Sequence, residues 1–217
     1  GKQTMKEALA NSCNCYFIEL ALKLGAEKII ETSEKFGFGK MNELYEGWSV
    51  KNGNFPDAAF LESKGQLALL GFGQGSLTDS PLHFASVIAA MANKGIYTEA
   101  NLIKGDMNDA GIVSERTKNT SQRAISEKTA ETLCEYMRYV VTDGSGRRAD
   151  YNNESAGKTS TAQSGIINDG KEIFYTWFAG FYPYSNPRYA IVVMTEDGKS
   201  GAVDGGPVFR AIVENIS

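Results

Sequence analysis

Apolar residues recur with a helical period in several stretches of the chain, and the signals that start and stop helices sit where that period begins and fails. Thr4-Met5-Lys6-Glu7 has the form of a capping box, in which hydroxyl and carboxylate satisfy the free amides of a helix start, and that helix should end near Asn11. Cys15 to Leu24 is apolar almost all round, which predicts a buried helix closed by Gly25. Ala26, Ile29, Ile30, Ser33 and Phe36 mark one face of the next helix, which stops at Gly37. From Gly39 to Gln74 the period is weak, and turn signals at Asn52-Gly53-Asn54 and Phe55-Pro56-Asp57 predict loops with a short helix or two. Ser80-Pro81 caps a helix carrying Leu82, Ala85, Ile88, Ala89 and Ala92 up to Asn93-Lys94-Gly95. Residues 96–125 read as polar and irregular. Ser126 then caps the clearest helix, with Ala130, Leu133, Cys134, Met137, Val140 and Val141 on one stripe and Asp143-Gly144-Ser145-Gly146 at its end.

After that point the period changes. Ser155–Ser164 reads as a strand of small and hydroxylated residues, Ile173–Tyr182 as an aromatic-rich strand, and Tyr189–Thr195 as a third. Tyr184-Ser185-Asn186-Pro187 turns between the last two, which predicts an antiparallel pair. Pro207 opens a final helix whose expected apolar face is Val208, Phe209, Ala211, Ile212 and Ile216. Helices first and strands last indicate an α+β sheet rather than repeated βαβ units. No repeat or low-complexity segment interrupts the pattern.

Composition narrows the function. With 217 residues, 42% hydrophobic and 22% charged, the chain can bury a core. A net charge of -4 without a Lys/Arg-rich run gives no footprint for nucleic acid. No apolar run is long enough to cross a bilayer. The opening Gly1-Lys2-Gln3 suggests an excised piece, with any membrane anchor expected outside it. Cys13, Cys15 and Cys134 are an odd count, and with one histidine no metal set is evident, so the cysteines are expected to be small buried hydrophobes.

Candidate chemistry is reached by elimination. His83, alone in a predicted amphipathic helix, reads as a structural or exposed residue rather than a catalytic one. Gly157-Lys158-Thr159 ends like a P-loop, but Asn152 stands where the first glycine belongs. Lysine-assisted hydroxyl chemistry remains. Ser12-Cys13-Asn14 is a Ser-x-Asn before a buried helix, and Lys158-Thr159-Ser160-Thr161-Ala162-Gln163 is a lysine heading a hydroxyl-rich strand. Either alone is weak, since Ser and Asn commonly cap helices.

Their order and surroundings resemble the penicillin-binding transpeptidases. Ala8 to Phe17 resembles the segment around that family's Ser-x-Asn motif. Gly71-Phe72-Gly73-Gln74-Gly75 followed by Thr78-Asp79-Ser80-Pro81-Leu82 looks like its Gly-Gln-Gly loop and Thr-Pro-Leu helix start. Ala156 to Gln163 resembles its Lys-Thr-Gly strand. Trp177-Phe178-Ala179-Gly180-Phe181-Tyr182-Pro183 and Gly206-Pro207-Val208-Phe209 continue the match. Two departures stand out. Ser160 replaces the usual glycine, and the family's Ser-x-x-Lys nucleophile motif is not found before Ser12. Ser155-Ala156-Gly157-Lys158 fits Ser-x-x-Lys only by borrowing the strand lysine, and is read as a decoy.

The resemblance implies an α/β fold of α+β type, an antiparallel sheet flanked by helices and truncated at the N-terminus. Residues 1–217 would be the C-terminal portion of one transpeptidase domain, without the nucleophile-bearing part. By this resemblance Ser12 relays a proton, Lys158 keeps the site positive, and the Thr161 amide forms half an oxyanion hole. Asn14, Thr159, Ser160 and Thr161 then hold substrate, with Thr159 and Thr161 offering hydroxyls to its carboxylate. The implied parent cross-links peptidoglycan stem peptides through a serine acyl-enzyme, binds β-lactams, and needs no cofactor or metal. It would lie outside the cytoplasmic membrane, held by an N-terminal anchor absent from this chain. A β-lactamase or β-lactam sensor of the same fold, and a non-catalytic binding fragment, are the alternatives. The chain alone should resist acylation, and the uncovered edge of its sheet should promote self-association.

Overall fold

The computed structural model describes residues 1–45, 47–103, 105–111, 113–115 and 120–216. Helix α1 (Met5–Ala10) starts at the expected capping box, the Thr4 hydroxyl accepting from the Glu7 amide at 3.3 Å while Glu7 Oε2 accepts from the Thr4 amide at 2.7 Å. Helix α2 (Asn14–Leu24) meets α3 (Ala26–Lys35) at Gly25, whose φ of 80° lies in the region that favours glycine. The expectation that α2 is buried all round is corrected. Only Ala21 is fully buried, and Leu22 and Leu24 are 42% and 43% exposed.

The stretch 39–74, whose weak periodicity predicts loops, contains a β-hairpin. β1 (Met41–Tyr45) pairs antiparallel with β2 (Trp48–Lys51), and α4 (Ala58–Leu61) and α5 (Lys64–Gly71) are the short helices expected there. The hairpin keeps the usual code at Glu43 and Leu44 and departs from it at three other positions. Polar Asn42 is buried and gives its amide to the Ala100 carbonyl, whereas Met41 and Trp48 are exposed. Residue 46, in the turn, lies outside the described residues.

Helix α6 (Pro81–Ala92) starts as expected, with the Ser80 hydroxyl accepting from the His83 amide. His83 takes the structural of its two readings. It is buried, its Nε2 donates to the Phe36 carbonyl at 2.8 Å, and its Nδ1 lies 2.7 Å from Asp79 Oδ1. It thus ties α6 to the end of α3.

Residues 96–125 are more regular than their polarity suggests. β3 (Ile96–Thr98) pairs with β6 (Ser121–Arg123), and β4 (Gly105–Met107) with β5 (Val113–Glu115). Within this stretch residues 104, 112 and 116–119 lie outside the described residues. Helix α7 (Glu127–Thr142) follows, capped by the Ser126 hydroxyl.

The main sheet has strand order β7-β8-β9, all antiparallel, from β7 (Ala156–Asn168), β8 (Lys171–Tyr182) and β9 (Tyr189–Thr195). Alternation along β8 splits its two faces. Phe178 and Tyr182 pack with Val141, Phe209 and Val213, while Ala179 and Phe181 pack with Ile88 and Met137. Helices α6 and α7 therefore cover one face and α8 (Gly206–Ile216) the other. The buried face of α8 is carried by Phe209 and Val213. Val208, Ile212 and Ile216, expected in the core, are 44%, 37% and 39% exposed.

Among the described residues β9 pairs only with β8, which leaves its other edge open. The cysteines also depart from expectation: Cys15 is exposed and Cys13 half-buried. Cys134 is half-buried too, and burial pushes its thiol pKa up to about 11.

Candidate active site

Strand β7 is the opposite edge of the main sheet, and a cleft of about 590 Å³ runs beside it. Sequence and topology bring three distant segments there. The α1–α2 turn supplies Ser12 and Asn14, the turn after α5 supplies Phe72 and Gln74, and β7 supplies Lys158, Thr159, Ser160 and Thr161. All six residues predicted for the site line this one cleft.

Ser12 is held in a left-handed conformation, φ 52°, which is uncommon for a residue with a side chain. Such strain persists where neighbours over-determine it. Here the Ser12 amide donates to the Leu9 carbonyl at 3.2 Å and the Cys13 amide to the Ala8 carbonyl at 2.9 Å. The turn aims the Ser12 hydroxyl at β7, where it accepts a hydrogen bond from Lys158 Nζ. Asn14 is the first residue of α2, so its amide stands at the cleft beside that turn.

Lys158 also donates to the Thr159 carbonyl at 2.5 Å and reaches the Thr159 hydroxyl at 3.4 Å. Among the described residues lining the cleft it is the one ionisable side chain. Burial disfavours the ammonium and lowers its pKa to about 8, against an ordinary 10.5. A lysine so placed exchanges its proton readily near neutral pH and, while charged, draws a substrate carboxylate.

The hydroxyls of the strand fall into two groups. Ser160 and Thr161 are exposed in the cleft, and the Thr161 carbonyl accepts a 3.5 Å bond from Gln74 Nε2. Thr159 is 7% exposed, and its hydroxyl lies 2.7 Å from that of Ser145. Thr159 lines the cleft with its hydroxyl partly engaged by Ser145, which leaves that oxygen hydrogen-bonding capacity for a second partner.

Sequence reasoning missed Ser145 and the wall formed by Ser200, Gly201 and Ala202. Residues 201–205 form a π-helical turn lying flat on β7 and β8, and a Cβ on Gly201 would stand 2.7 Å from the Ser160 carbonyl oxygen. The signal available was Gly201 with Gly205-Gly206 beside the final helix start. Ser155, the serine of the apparent Ser-x-x-Lys, is 0% exposed and outside the cleft. Its hydroxyl accepts from the Tyr151 amide at 3.1 Å, and its carbonyl accepts from Arg138 Nη1 at 2.6 Å.

The chain is similar in sequence and fold to known proteins. The Transpeptidase profile, described as the penicillin binding protein transpeptidase domain, matches residues 1–214. Stage V sporulation protein D of Bacillus subtilis is 31% identical over all of this chain and 34% of its own length. The peptidoglycan D,D-transpeptidase PbpA of Mycolicibacterium smegmatis is 30% identical over 97% of this chain and 43% of its own length. The chain thus spans less than half the length of these relatives. The D,D-transpeptidase domain of a peptidoglycan glycosyltransferase from Eggerthella lenta superposes with a TM-score of 0.85 at 25% identity, covering 100% of this chain and 53% of that one. Penicillin binding protein 3 of Mycobacterium tuberculosis, solved with aztreonam, gives 0.85 at 26% identity over 98% of this chain and 50% of its own. With a mixed helix and antiparallel-sheet fold, the match over nearly its whole length and the motif residues gathered at one cleft, the chain belongs to the penicillin-binding protein transpeptidase domain family.

Proposed function

We propose that the chain is the C-terminal portion of a transpeptidase domain in a peptidoglycan D,D-transpeptidase. Its parent would cross-link stem peptides through a serine acyl-enzyme, the serine and its Ser-x-x-Lys coming from an upstream segment. The observation that carries this reading is the Lys158–Ser12 contact at the open edge of β7.

In the proposed reaction the upstream serine oxygen attacks the carbonyl of the penultimate D-alanine. The bond to the terminal D-alanine nitrogen breaks, and that amine leaves with a proton passed through the Ser12 hydroxyl. Lys158, charged below about pH 8, holds the terminal carboxylate and eases the transfer. The Thr161 amide faces the same open edge as its carbonyl and donates to the developing oxyanion. Asn14 holds the donor peptide through its amide, and the Thr159 and Thr161 hydroxyls, which share one face of β7, lie near the carboxylate. An amine of a neighbouring stem then attacks the ester, forms the cross-link and returns the proton to the serine.

β-Lactams would acylate the same serine, in keeping with the aztreonam and ampicillin complexes of the M. tuberculosis protein. The substrate belongs outside the cytoplasmic membrane, so the parent would act there. The parent protein, given a stem pentapeptide, should release D-alanine, and prior treatment with a β-lactam should abolish that release. Release that persists after stoichiometric β-lactam treatment, or none before it, would overturn the reading.

A further inference from the structure

Ser145 is neither part of a recognised motif nor expected at the site, yet it stands where three segments of the cleft meet. Its amide donates to the Ala10 carbonyl at 3.1 Å, at the end of α1 and two residues before Ser12. Its hydroxyl lies 2.7 Å from the Thr159 hydroxyl, next to Lys158 on β7. Lys158 in turn donates to Ser12 and to the Thr159 carbonyl. These contacts close a ring through Ser145, Thr159, Lys158 and Ser12, completed by the backbone from Ala10 to Ser12.

The approach is built in. A Cβ on the neighbouring Gly144 would stand 2.6 Å from the Ala10 carbonyl oxygen, so a residue with a side chain there would push the loop off α1. Gly146 is similarly close to Val140, at 3.2 Å. The glycines on both sides of Ser145 therefore seat its short polar side chain against the strand.

We infer that Ser145 is a positioning residue, whose hydroxyl and amide together hold Lys158 and Ser12 at the separation at which they exchange a proton. Thr159 carries this effect, because its hydroxyl can accept from Lys158 while sharing a hydrogen with Ser145. The inference rests on the reading of Lys158 and Ser12 as the working pair. It adds a residue to that pair's support which touches neither substrate nor the reacting atoms.

The test measures acylation of the parent protein by a fluorescent β-lactam across pH, with thermal midpoints as a control on folding. Ser145→Ala should slow acylation by about tenfold, the scale of one hydrogen bond in a positioned network, whereas Ser145→Thr should stay within about twofold of wild type, since it keeps the hydroxyl. Burial is the cause of the depressed Lys158 pKa, so the wild-type rate should fall as pH rises through about 8. In Ser145→Ala the loosened lysine is better hydrated, stays charged longer, and the falling limb should move to higher pH. Thr159→Val and the Ser145→Ala/Thr159→Val double variant complete a cycle, in which the double variant should be little slower than either single one.

Additive losses with an unmoved pH limb would overturn the inference while leaving the proposed function standing. So would a Ser145→Ala enzyme as fast as wild type. A wild-type protein that takes up no label at all would instead overturn the proposed function, and the inference with it.

Discussion

Replacing Lys158 with alanine in the parent protein should slow β-lactam acylation by at least about a hundredfold, the scale of removing one positioned acid–base or electrostatic group. The reason is that the cleft's described lining holds no second cation to take its place. Loss of folding should not accompany loss of rate. The Lys158 pKa is about 8 in the folded chain against an ordinary 10.5, so below about pH 8 the folded state carries a buried ammonium at a cost. Between those two values the folded state binds fewer protons than the unfolded one, and stability rises with pH across that window. Alanine removes that charge, so the variant should melt no lower than wild type at pH 7. It should also lose the stability gain between about pH 8 and 10.5. Stopped-flow labelling and thermal melts across pH separate the two effects. Near-normal acylation in a well-folded variant would reduce Lys158 to an ordinary wall residue.

The second large effect concerns the part of the sheet away from the cleft. The run Ala190-Ile191-Val192-Val193-Met194 lies in β9, without charge or proline to discourage pairing, and one of its edges is open among the described residues. Helix α8, which packs against β9, turns Val208, Ile212 and Ile216 outward, so further apolar surface is uncovered. Covering large apolar side chains contributes roughly 1.5–3 kcal/mol each, while a whole domain is stable by only about 5–15 kcal/mol. The isolated 217-residue chain should therefore self-associate or exchange the amides of β9 rapidly, and co-expressed upstream sequence should suppress both. Light scattering and hydrogen exchange measure this. A monomer whose residues 191–194 are strongly protected, with nothing paired against them, would show that the edge needs no partner.

Much of this molecule is legible in its sequence because local chemistry and global fold agree. Thr4 with Glu7, Ser80 before Pro81, and Ser126 announce helices that form where they are announced. The change of period after Ser155 marks the strands, and Lys158 heads one of them. The residues Ser12, Asn14 and Lys158 to Thr161 converge although more than a hundred positions separate the two groups, an outcome visible beforehand only through the family's motifs.

Other features depend on contacts that no local pattern encodes. Asn42 is buried because the Ala100 carbonyl is there to receive its amide, so β1 carries no apolar alternation to detect. Leu22 and Leu24 look like core in a one-dimensional reading, but only tertiary packing decides which side of α2 is covered. Ser145 in an Asp-Gly-Ser-Gly turn resembles any helix stop. Its place beside Thr159 follows from how α7 lies across α1 and β7.

On the proposed function this chain would furnish the proton relay and substrate-binding edge of an acylating site, and an upstream segment its nucleophile. The most direct measurement is intact-mass analysis of the isolated chain and of the parent protein after β-lactam treatment, followed by peptide mapping of any adduct. The account predicts no adduct on the isolated chain, and one adduct on the parent at a serine upstream of residue 1. A stoichiometric adduct on Ser155, Ser12 or any other serine of this chain would contradict it.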